Sequence, residues 1–270
     1  MTSNSPTPAG VSLRGVGKVF GARTVLDGID IEIAPGEVVA FLGASGSGKS
    51  TLLRLIAGLD EPSVGQIEIN AKPVRGIDPR CAVVFQEPRL LPWRALAANV
   101  AYGLPAGTSR SHGAELVAHW LEVVGLQGFA DHRPRQVSGG MAQRAGLARA
   151  LARSPGVLLL DEPLAALDAL TRLRMQDLLD EVQQKAGITT LLVTHDVDEA
   201  LILADRVLIL RADDSGVAGI AATHHVSLDK PRDRSDPELA ALRITLLDEL
   251  GMPRRQAGDP AHPPRKEISA

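Results

Sequence analysis

A glycine-rich segment near the start of this 270-residue sequence carries the residues best suited to phosphate chemistry. The segment fits the pattern G-x-x-x-x-G-K-[ST] and reads Gly43, Ala44, Ser45, Gly46, Ser47, Gly48, Lys49, Ser50, followed by Thr51. Glycines let consecutive backbone N–H groups surround phosphate oxygens, and a helix that starts after the loop adds partial positive charge. We expect Lys49 to reach the outer phosphates of a nucleotide and Ser50 to ligate Mg²⁺. The alternative is a plain strand-to-helix turn rich in small residues, which the strand and helix predicted on either side disfavour.

Two adjacent carboxylates, Asp161 and Glu162, follow an apolar run over residues 157–160. In an open parallel sheet, ligands bind at the carboxyl ends of the strands. Asp161 is therefore expected to hold Mg²⁺ and Glu162 to accept a proton from an attacking water. A helix cap or solvated turn is the alternative, and it would be preferred if the phosphate loop were not present as well.

The hydrophobic pattern predicts the elements that position these residues. Strands are predicted over residues 11–20, 25–33, 37–42, 66–69, 81–85, 157–160, 189–193, 207–210 and 217–223. Helices are predicted over residues 49–57, 94–104, 113–124, 140–152, 170–185, 197–204 and 238–250. Short apolar strands that alternate with helices indicate an α/β fold with a parallel sheet covered on both faces. The first two segments predict an antiparallel opening.

The same pattern predicts a domain organisation with one main body. Residues 1–10 form a polar leader that is expected to be disordered. Residues 11–229 form the main body, with an inserted helical subdomain at about 88–153. Residues 230–270 hold a C-terminal helix and a Pro- and Arg-containing tail, and the tail has too few apolar residues to pack.

Composition excludes several classes of protein. With 44% hydrophobic and 23% charged residues, the chain is neither a collagen, a coiled coil throughout, nor globally disordered. Its formal charge of −3 argues against a general nucleic-acid binder. A single cysteine, Cys81, fits a reducing compartment, and neither a secretory signal nor a membrane-spanning stretch is predicted. We expect a cytoplasmic protein unless a partner holds it at a membrane.

Four further segments accompany the phosphate loop and the acidic pair. Gln86 follows the strand predicted at 81–85, and residues 137–144 read VSGGMAQR. The triplets ALD and THD end at Asp168 and Asp196. The set resembles the Q-loop, LSGGQ signature, D-loop and switch histidine of ATP-binding cassette (ABC) proteins, in the family order over about residues 11–225. The resemblance implies a P-loop NTPase ABC cassette: a parallel-sheet core, an antiparallel β subdomain and an inserted α-helical subdomain.

The resemblance also implies how the site is assembled. Two copies sandwich two ATP molecules, so that each site draws on both chains. One chain is expected to supply Lys49, Ser50, Gln86, Asp161, Glu162 and His195, with Gln86 also near Mg²⁺. The mate is expected to supply Ser138, Gly139, Gly140 and Asp168. Phe20 matches the aromatic that stacks on adenine, although an ordinary core or strand aromatic is the alternative.

Departures from the family pattern are few. Val137 stands where Leu is usual, Met141 stands where Gln is usual, and Ala44 is a small-residue variant in the phosphate loop. None of these alters the Ser-Gly-Gly backbone, so retained hydrolysis is expected. A regulatory, non-hydrolytic scaffold is disfavoured by the intact acidic pair and His195. A non-transport cassette acting on DNA or ribosomes is also disfavoured. Such a protein would normally carry a coiled-coil insertion or a second cassette, and this sequence shows neither.

The stretch after Gln86 points to one branch of the family. It resembles the import ATPases for nitrate, taurine and aliphatic sulfonates, and residues 167–178 are most similar to the sulfonate branch. The resemblance implies two permease subunits, a separate solute-binding protein, no nucleic acid, and a peripheral place on the cytoplasmic face of the cell inner membrane. Leu90, Leu91 and Trp93 are expected to meet the permease, or alternatively to pack inward.

Overall fold

A mixed sheet with accompanying helices makes up residues 7–251, the part of the chain that the computed structural model describes. Its strands are β1 Val11–Phe20, β2 Arg23–Ile33, β3 Val38–Leu42, β4 Val64–Ile69, β5 Lys72–Pro73, β6 Cys81–Val84, β7 Val157–Asp161, β8 Thr189–Thr194, β9 Arg206–Ala212 and β10 Ala218–His225. Its α-helices are α1 Lys49–Ile56, α2 Leu96–Ala101, α3 Arg110–Val123, α4 Gly139–Leu151, α5 Ala169–Ala186, α6 Val197–Leu203 and α7 Pro237–Glu249. The strand order across the sheet is β5-β4-β1-β2-β10-β9-β3-β8-β7-β6.

Five neighbouring strands, β9, β3, β8, β7 and β6, run parallel and form the core of the fold. Every residue of β3 and β8 is buried, as expected for strands that helices cover on both faces. Because these strands are parallel, their carboxyl ends meet at one edge of the sheet. The phosphate loop, the acidic pair and the switch histidine all follow strands at that edge.

Antiparallel pairing dominates the other half of the sheet. β1 pairs with β2 and with β4, and Phe20 lies opposite Arg23 at the β1–β2 turn. Register shifts along β1 interrupt the alternation of buried and exposed residues. The predicted α/β class, with its antiparallel opening, is confirmed.

Helices α2, α3 and α4 lie between the adjacent parallel strands β6 and β7 along the chain. Their inward faces contribute to the main core through Leu96, Val100, Leu121 and Leu147, which are at most 2% exposed. Inserting a helical unit between two neighbouring strands leaves their pairing intact. It also sets the start of α4 at Gly139, close to the D-loop.

Two predicted boundaries are corrected by the packing. The boundary at 229 does not separate a unit, because Leu239 and Leu246 of α7 are buried in the same core as α6. The predicted leader over residues 1–10 extends too far, since Ala9 is 2% exposed and its N–H donates to the Gly156 carbonyl at 3.1 Å. The rest of the predicted leader, residues 1–6, and the predicted tail, residues 252–270, lie outside the described residues.

Candidate nucleotide-binding and hydrolysis site

The phosphate loop connects β3 to α1, as its sequence predicts. Lys49 Nζ donates to the carbonyl oxygens of Gly43, at 2.9 Å, and Ala44, at 2.8 Å, so its stem crosses the loop. Gly48 caps α1 with φ +84°, and a Cβ there would lie 2.7 Å from Leu26 Cδ2. Glycine is required at this position, because the backbone is left-handed and β2 leaves no room.

The cleft over this loop has the polarity of a phosphate site. It has a volume of about 300 Å³ and is lined by Arg23, Val25, Ser45, Gly46, Gly48, Lys49, Ser50, Thr51 and Glu162. Burial lowers the pKa of Lys49, while the charges of Glu162 and Asp161 oppose that shift. Ser47 is 5% exposed, and its Oγ has no hydrogen-bond partner within residues 7–251. A buried hydroxyl without a partner is costly, so a phosphate oxygen fits the loop.

Ser50 and Asp161 provide the oxygen atoms that a magnesium ion prefers. Ser50 Oγ donates to Asp161 Oδ1 at 2.7 Å, which joins the start of α1 to the end of β7. Mg²⁺ commonly takes one or two protein oxygens together with phosphate and water. Residues 7–251 hold no cluster of three or more His, Cys, Asp or Glu side chains suited to a metal. The Ser50–Asp161 pair fits Mg²⁺ delivered with a nucleotide.

Glu162 and His195 come from the ends of adjacent strands, β7 and β8. Their side chains approach each other, with His195 Nδ1 3.3 Å from Glu162 Oε2. Glu162 has a positive φ of 45°, and its N–H donates to the Val193 carbonyl at 2.9 Å. The unusual backbone is held by this bond and turns the carboxylate into the cleft over the phosphate loop.

Gln86 lies at the same edge of the sheet, two residues after β6. Its side chain is exposed. The turn before it is held by Gln143 of α4, whose Nε2 donates to the Phe85 carbonyl at 3.1 Å. Gln86 is therefore near the end of β7, while its predicted contact with Mg²⁺ stays a prediction.

The signature segment forms a separate polar site at the start of α4. Ser138 caps the helix by accepting a hydrogen bond from Met141 N–H at 3.3 Å, and Gly139 is exposed beside it. Gly140 packs closely on α5, because a Cβ there would lie 2.5 Å from Thr171 Cγ2. Asp168 caps α5 by accepting from Thr171 N–H at 3.0 Å, and this bonding lowers the pKa of Asp168.

Ser138, Gly139, Gly140 and Asp168 are thus grouped together, but not with the phosphate loop. Within the described residues, no hydrogen bond or ion pair connects the two groups. This separation is what the resemblance leads one to expect if the second group serves a nucleotide on another copy.

Phe20 lies at the turn between β1 and β2. Its ring is 49% exposed, so it is not part of the core. Its strand partner Arg23 lines the cleft, and Lys18 Nζ lies 4.8 Å from the Phe20 ring centroid. An exposed ring whose strand partner lines the cleft favours the stacking prediction over the core alternative.

Sequence reasoning missed Glu199, a buried residue beneath the switch histidine. Thr194 Oγ1 donates to Glu199 Oε2 at 2.6 Å, and burial raises the pKa of Glu199 to about 7. The available signal was the spacing from Asp196 to Glu199, which resembles a capping box. In the fold Asp196 does cap α6, but Glu199 turns inward to Thr194.

The segment after Gln86 presents an aromatic surface. Trp93 is 67% exposed and Tyr102 is 71% exposed, while Leu90 and Leu91 are partly buried. Asn99 holds this segment, since its Oδ1 accepts from Leu91 N–H at 2.7 Å. Leu90 and Leu91 therefore follow in part the alternative of inward packing. Trp93 faces outward, where it is free to contact another protein.

The fold and the site describe a nucleotide-binding cassette, and the profile of the ABC transporter family matches residues 26–165. That span includes the phosphate loop, Ser138 and the acidic pair. The chain belongs to the ABC transporter family. It is an ATP-binding cassette and an ATPase.

Relatives and solved structures agree with this assignment. The chain is 49% identical over 247 residues to the aliphatic sulfonates import ATP-binding protein SsuB 2 of Paracoccus denitrificans, covering 91% of this chain and 94% of that protein. It is 52% identical over 242 residues to SsuB of Granulibacter bethesdensis, covering 90% and 94%. The ATP-binding cassette MJ0796, described as dimeric, post-hydrolysis and bound to ADP and Pi, matches with TM-score 0.70 and 30% identity over 81% of this chain and 100% of that one. CbiO1 of Clostridium perfringens, part of the transporter complex CbiONQ, matches with TM-score 0.73 and 26% identity over 89% and 96%.

Proposed function

We propose that this chain hydrolyses ATP to energise the import of aliphatic sulfonates through a separate permease. The observation that carries the hydrolytic role is the cleft at the carboxyl edge of the parallel sheet, which Lys49, Ser50 and Glu162 line. Asp161 contacts Ser50 and His195 contacts Glu162 at this cleft. The sulfonate substrate is supported by relatives of that name that match about nine-tenths of the chain.

In the proposed mechanism, each residue acts from its observed position. Backbone N–H groups of the loop and Lys49 hold the β- and γ-phosphates. Glu162 accepts a proton from the attacking water, and His195, 3.3 Å from Glu162, orients that water against the γ-phosphate. Ser50, Asp161 and Gln86 would hold Mg²⁺, which supplies charge neutralisation of the phosphates.

A second copy of the chain completes each site. Ser138, Gly139, Gly140 and Asp168 contact the nucleotide held by the phosphate loop of the mate. The dimeric structure of MJ0796 supports this arrangement. ATP binding closes the dimer and hydrolysis releases it, so the nucleotide controls the distance between the two copies.

Two permease subunits receive that motion through the surface formed by Leu90, Leu91 and Trp93. A large exposed tryptophan is the kind of side chain that anchors protein interfaces. No helix in residues 7–251 is long and apolar enough to cross a bilayer. In the proposed complex the chain is bound to the permease on the cytoplasmic face of the inner membrane, and an extracytoplasmic binding protein selects the solute.

Growth on single sulfur or nitrogen sources tests the solute. A strain that lacks this protein should fail on alkanesulfonates and recover with the wild-type chain but not with Glu162→Gln. A growth defect on taurine or nitrate instead would leave the proposed mechanism unchanged and would show that taurine or nitrate is the solute. Normal growth on all of these sources would contradict the proposed substrate class.

A further inference from the structure

Two loops carry the residues proposed to act on the attacking water. The first runs from Glu162, at the end of β7, to Asp168, at the start of α5. The second is formed by His195 and Asp196, between β8 and α6. Leu164 and Leu167 anchor the first loop in the core, while Glu162, His195 and Asp196 are at least partly exposed. The relative position of the two loops therefore depends on the bond from Glu162 N–H to the Val193 carbonyl and on the side chains that join the loops.

Arg172 joins the two loops. Its Nη2 donates to the Leu167 carbonyl at 3.1 Å, at the end of the first loop. Its Nη1 lies 3.6 Å from Asp196 Oδ2, in the second loop. The side chain of Arg172 is 35% exposed and that of Asp196 is 31% exposed, so this ion pair is better shielded than an ordinary surface pair.

Arg172 is the fourth residue of α5, near the helix end where the dipole disfavours a cation, and the carboxylate of Asp168 caps that end. Asp196, the partner of Arg172, makes two kinds of contact. Asp196 Oδ1 caps α6 by accepting from Asp198 N–H at 2.9 Å and Glu199 N–H at 3.1 Å, which leaves Oδ2 to face Arg172.

We infer that Arg172 is a positioning residue for hydrolysis, because its guanidinium fastens the Glu162–Asp168 loop to the loop of His195. It contacts neither the phosphate loop nor the lining of the cleft within the described residues. The inference deepens the proposed function and rests on it. The bridge acts together with the bond from Glu162 N–H to the Val193 carbonyl to set the 3.3 Å approach of His195 to Glu162, and nucleotide binding by the phosphate loop does not depend on it.

Two mild substitutions test the bridge. Arg172→Lys keeps the positive charge, but its single nitrogen cannot reach both Leu167 O and Asp196. Asp196→Asn keeps an oxygen to cap α6 and removes the charge that faces Arg172. For each variant we expect kcat for ATP hydrolysis to fall about tenfold. The KM for ATP, and the affinity for a fluorescent ATP analogue, should change less than about twofold.

The double variant sharpens the test. If both residues act through one bridge, Arg172→Lys with Asp196→Asn should be no slower than the slower single variant. The matched control is the more exposed pair Arg243 and Asp198, 3.1 Å apart, in which Arg243→Lys and Asp198→Asn should leave kcat unchanged. Thermal unfolding midpoints like that of the wild type would show that the variants are folded.

The outcomes separate this inference from the function on which it rests. A wild-type kcat in both Arg172→Lys and Asp196→Asn, or a loss of nucleotide affinity with kcat unchanged, would overturn the positioning role alone. Additive losses in the double variant would also overturn it. A wild-type chain that hydrolyses no ATP, alone or with its permease, would overturn the proposed function and this inference together.

Discussion

Ser50 Oγ donates a 2.7 Å hydrogen bond to Asp161 Oδ1, joining two residues that are 111 positions apart in the chain. The bond links the helix that follows the phosphate loop to the strand that carries the acidic pair. A hydroxyl and a carboxylate held this close form a ready-made set of oxygen ligands, since Mg²⁺ can take the place of the shared hydrogen bond. The fold therefore places the proposed Mg²⁺ ligands Ser50 and Asp161 next to each other.

Replacing Asp161 with Asn should weaken the binding of magnesium. The amide keeps the size of the side chain but removes the charge, so the Mg²⁺ concentration for half-maximal ATP hydrolysis should rise about tenfold or more. A Mg²⁺ titration at fixed ATP measures this. The control is Asp131→Asn, an exposed residue of the helical subdomain. An unchanged Mg²⁺ requirement in Asp161→Asn would show that the metal is held elsewhere.

Glu162→Gln should separate binding from hydrolysis. The amide cannot accept the proton of the attacking water, so ATP turnover should fall by about 10²-fold or more while ATP affinity is kept. With hydrolysis blocked, ATP should hold two copies together, and size-exclusion chromatography with ATP and Mg²⁺ should show a dimer. Glu122→Gln, on an exposed position of α3, serves as the control and should turn over ATP like the wild type. Undiminished turnover in Glu162→Gln would contradict the assignment of the base.

Local patterns were sufficient to predict the core of this fold and the residues that it brings together in the candidate site. Apolar runs predict β3, β7 and β8, and each run is followed by a segment that carries residues of the candidate site. Lys49, Glu162 and His195 come together because parallel strands bring their carboxyl ends to one edge. Predicting such a site requires only the hydrophobic pattern of the strands and the positions at which they end, and both can be read from the sequence.

Features that depend on distant contacts were not predictable in this way. β5 is only Lys72–Pro73, too short for any period to reveal. The boundary expected at 229 failed because the polar run that follows it includes Arg232. That side chain is 1% exposed and donates to the carbonyls of Leu201 and Ala204 at the end of α6. No local pattern distinguishes such an arginine from one in a linker.

Phe20 tests whether the base of the nucleotide is recognised. Phe20→Leu should weaken ATP affinity three- to tenfold, because aromatic stacking contributes about 0.5–1.5 kcal/mol beyond buried area. Phe20→Trp should preserve affinity. Binding of tripolyphosphate, which has no base, should be the same in all three proteins. The matched control is Phe129→Leu, a ring 39% exposed on the helical subdomain. Equal losses of affinity for ATP and for tripolyphosphate would show that the substitution disturbs phosphate binding and not recognition of the base.

Glu199 should make the folded state lose stability as pH rises. Burial raises the pKa of Glu199 to about 7 from an ordinary value of 4.5, with contributions from Asp196 and Glu162, while Thr194 and Arg172 oppose the shift. Between these two pH values the folded chain keeps the proton and the unfolded chain releases it. The free energy of unfolding therefore falls as pH rises from 4.5 to about 7 and levels off above, by a total on the order of 3 kcal/mol.

Glu199→Gln removes this titration while keeping an oxygen to accept from Thr194 Oγ1. The variant should show a flatter stability profile between pH 5 and about 7, measured by urea unfolding at several pH values. Its stability should approach or exceed that of the wild type at about pH 8, where the wild type carries the buried charge. Glu122→Gln should leave the profile unchanged, since that side chain is exposed. If Glu199→Gln showed the same change of stability with pH as the wild type, other groups would be the cause of the pH dependence, because glutamine does not titrate.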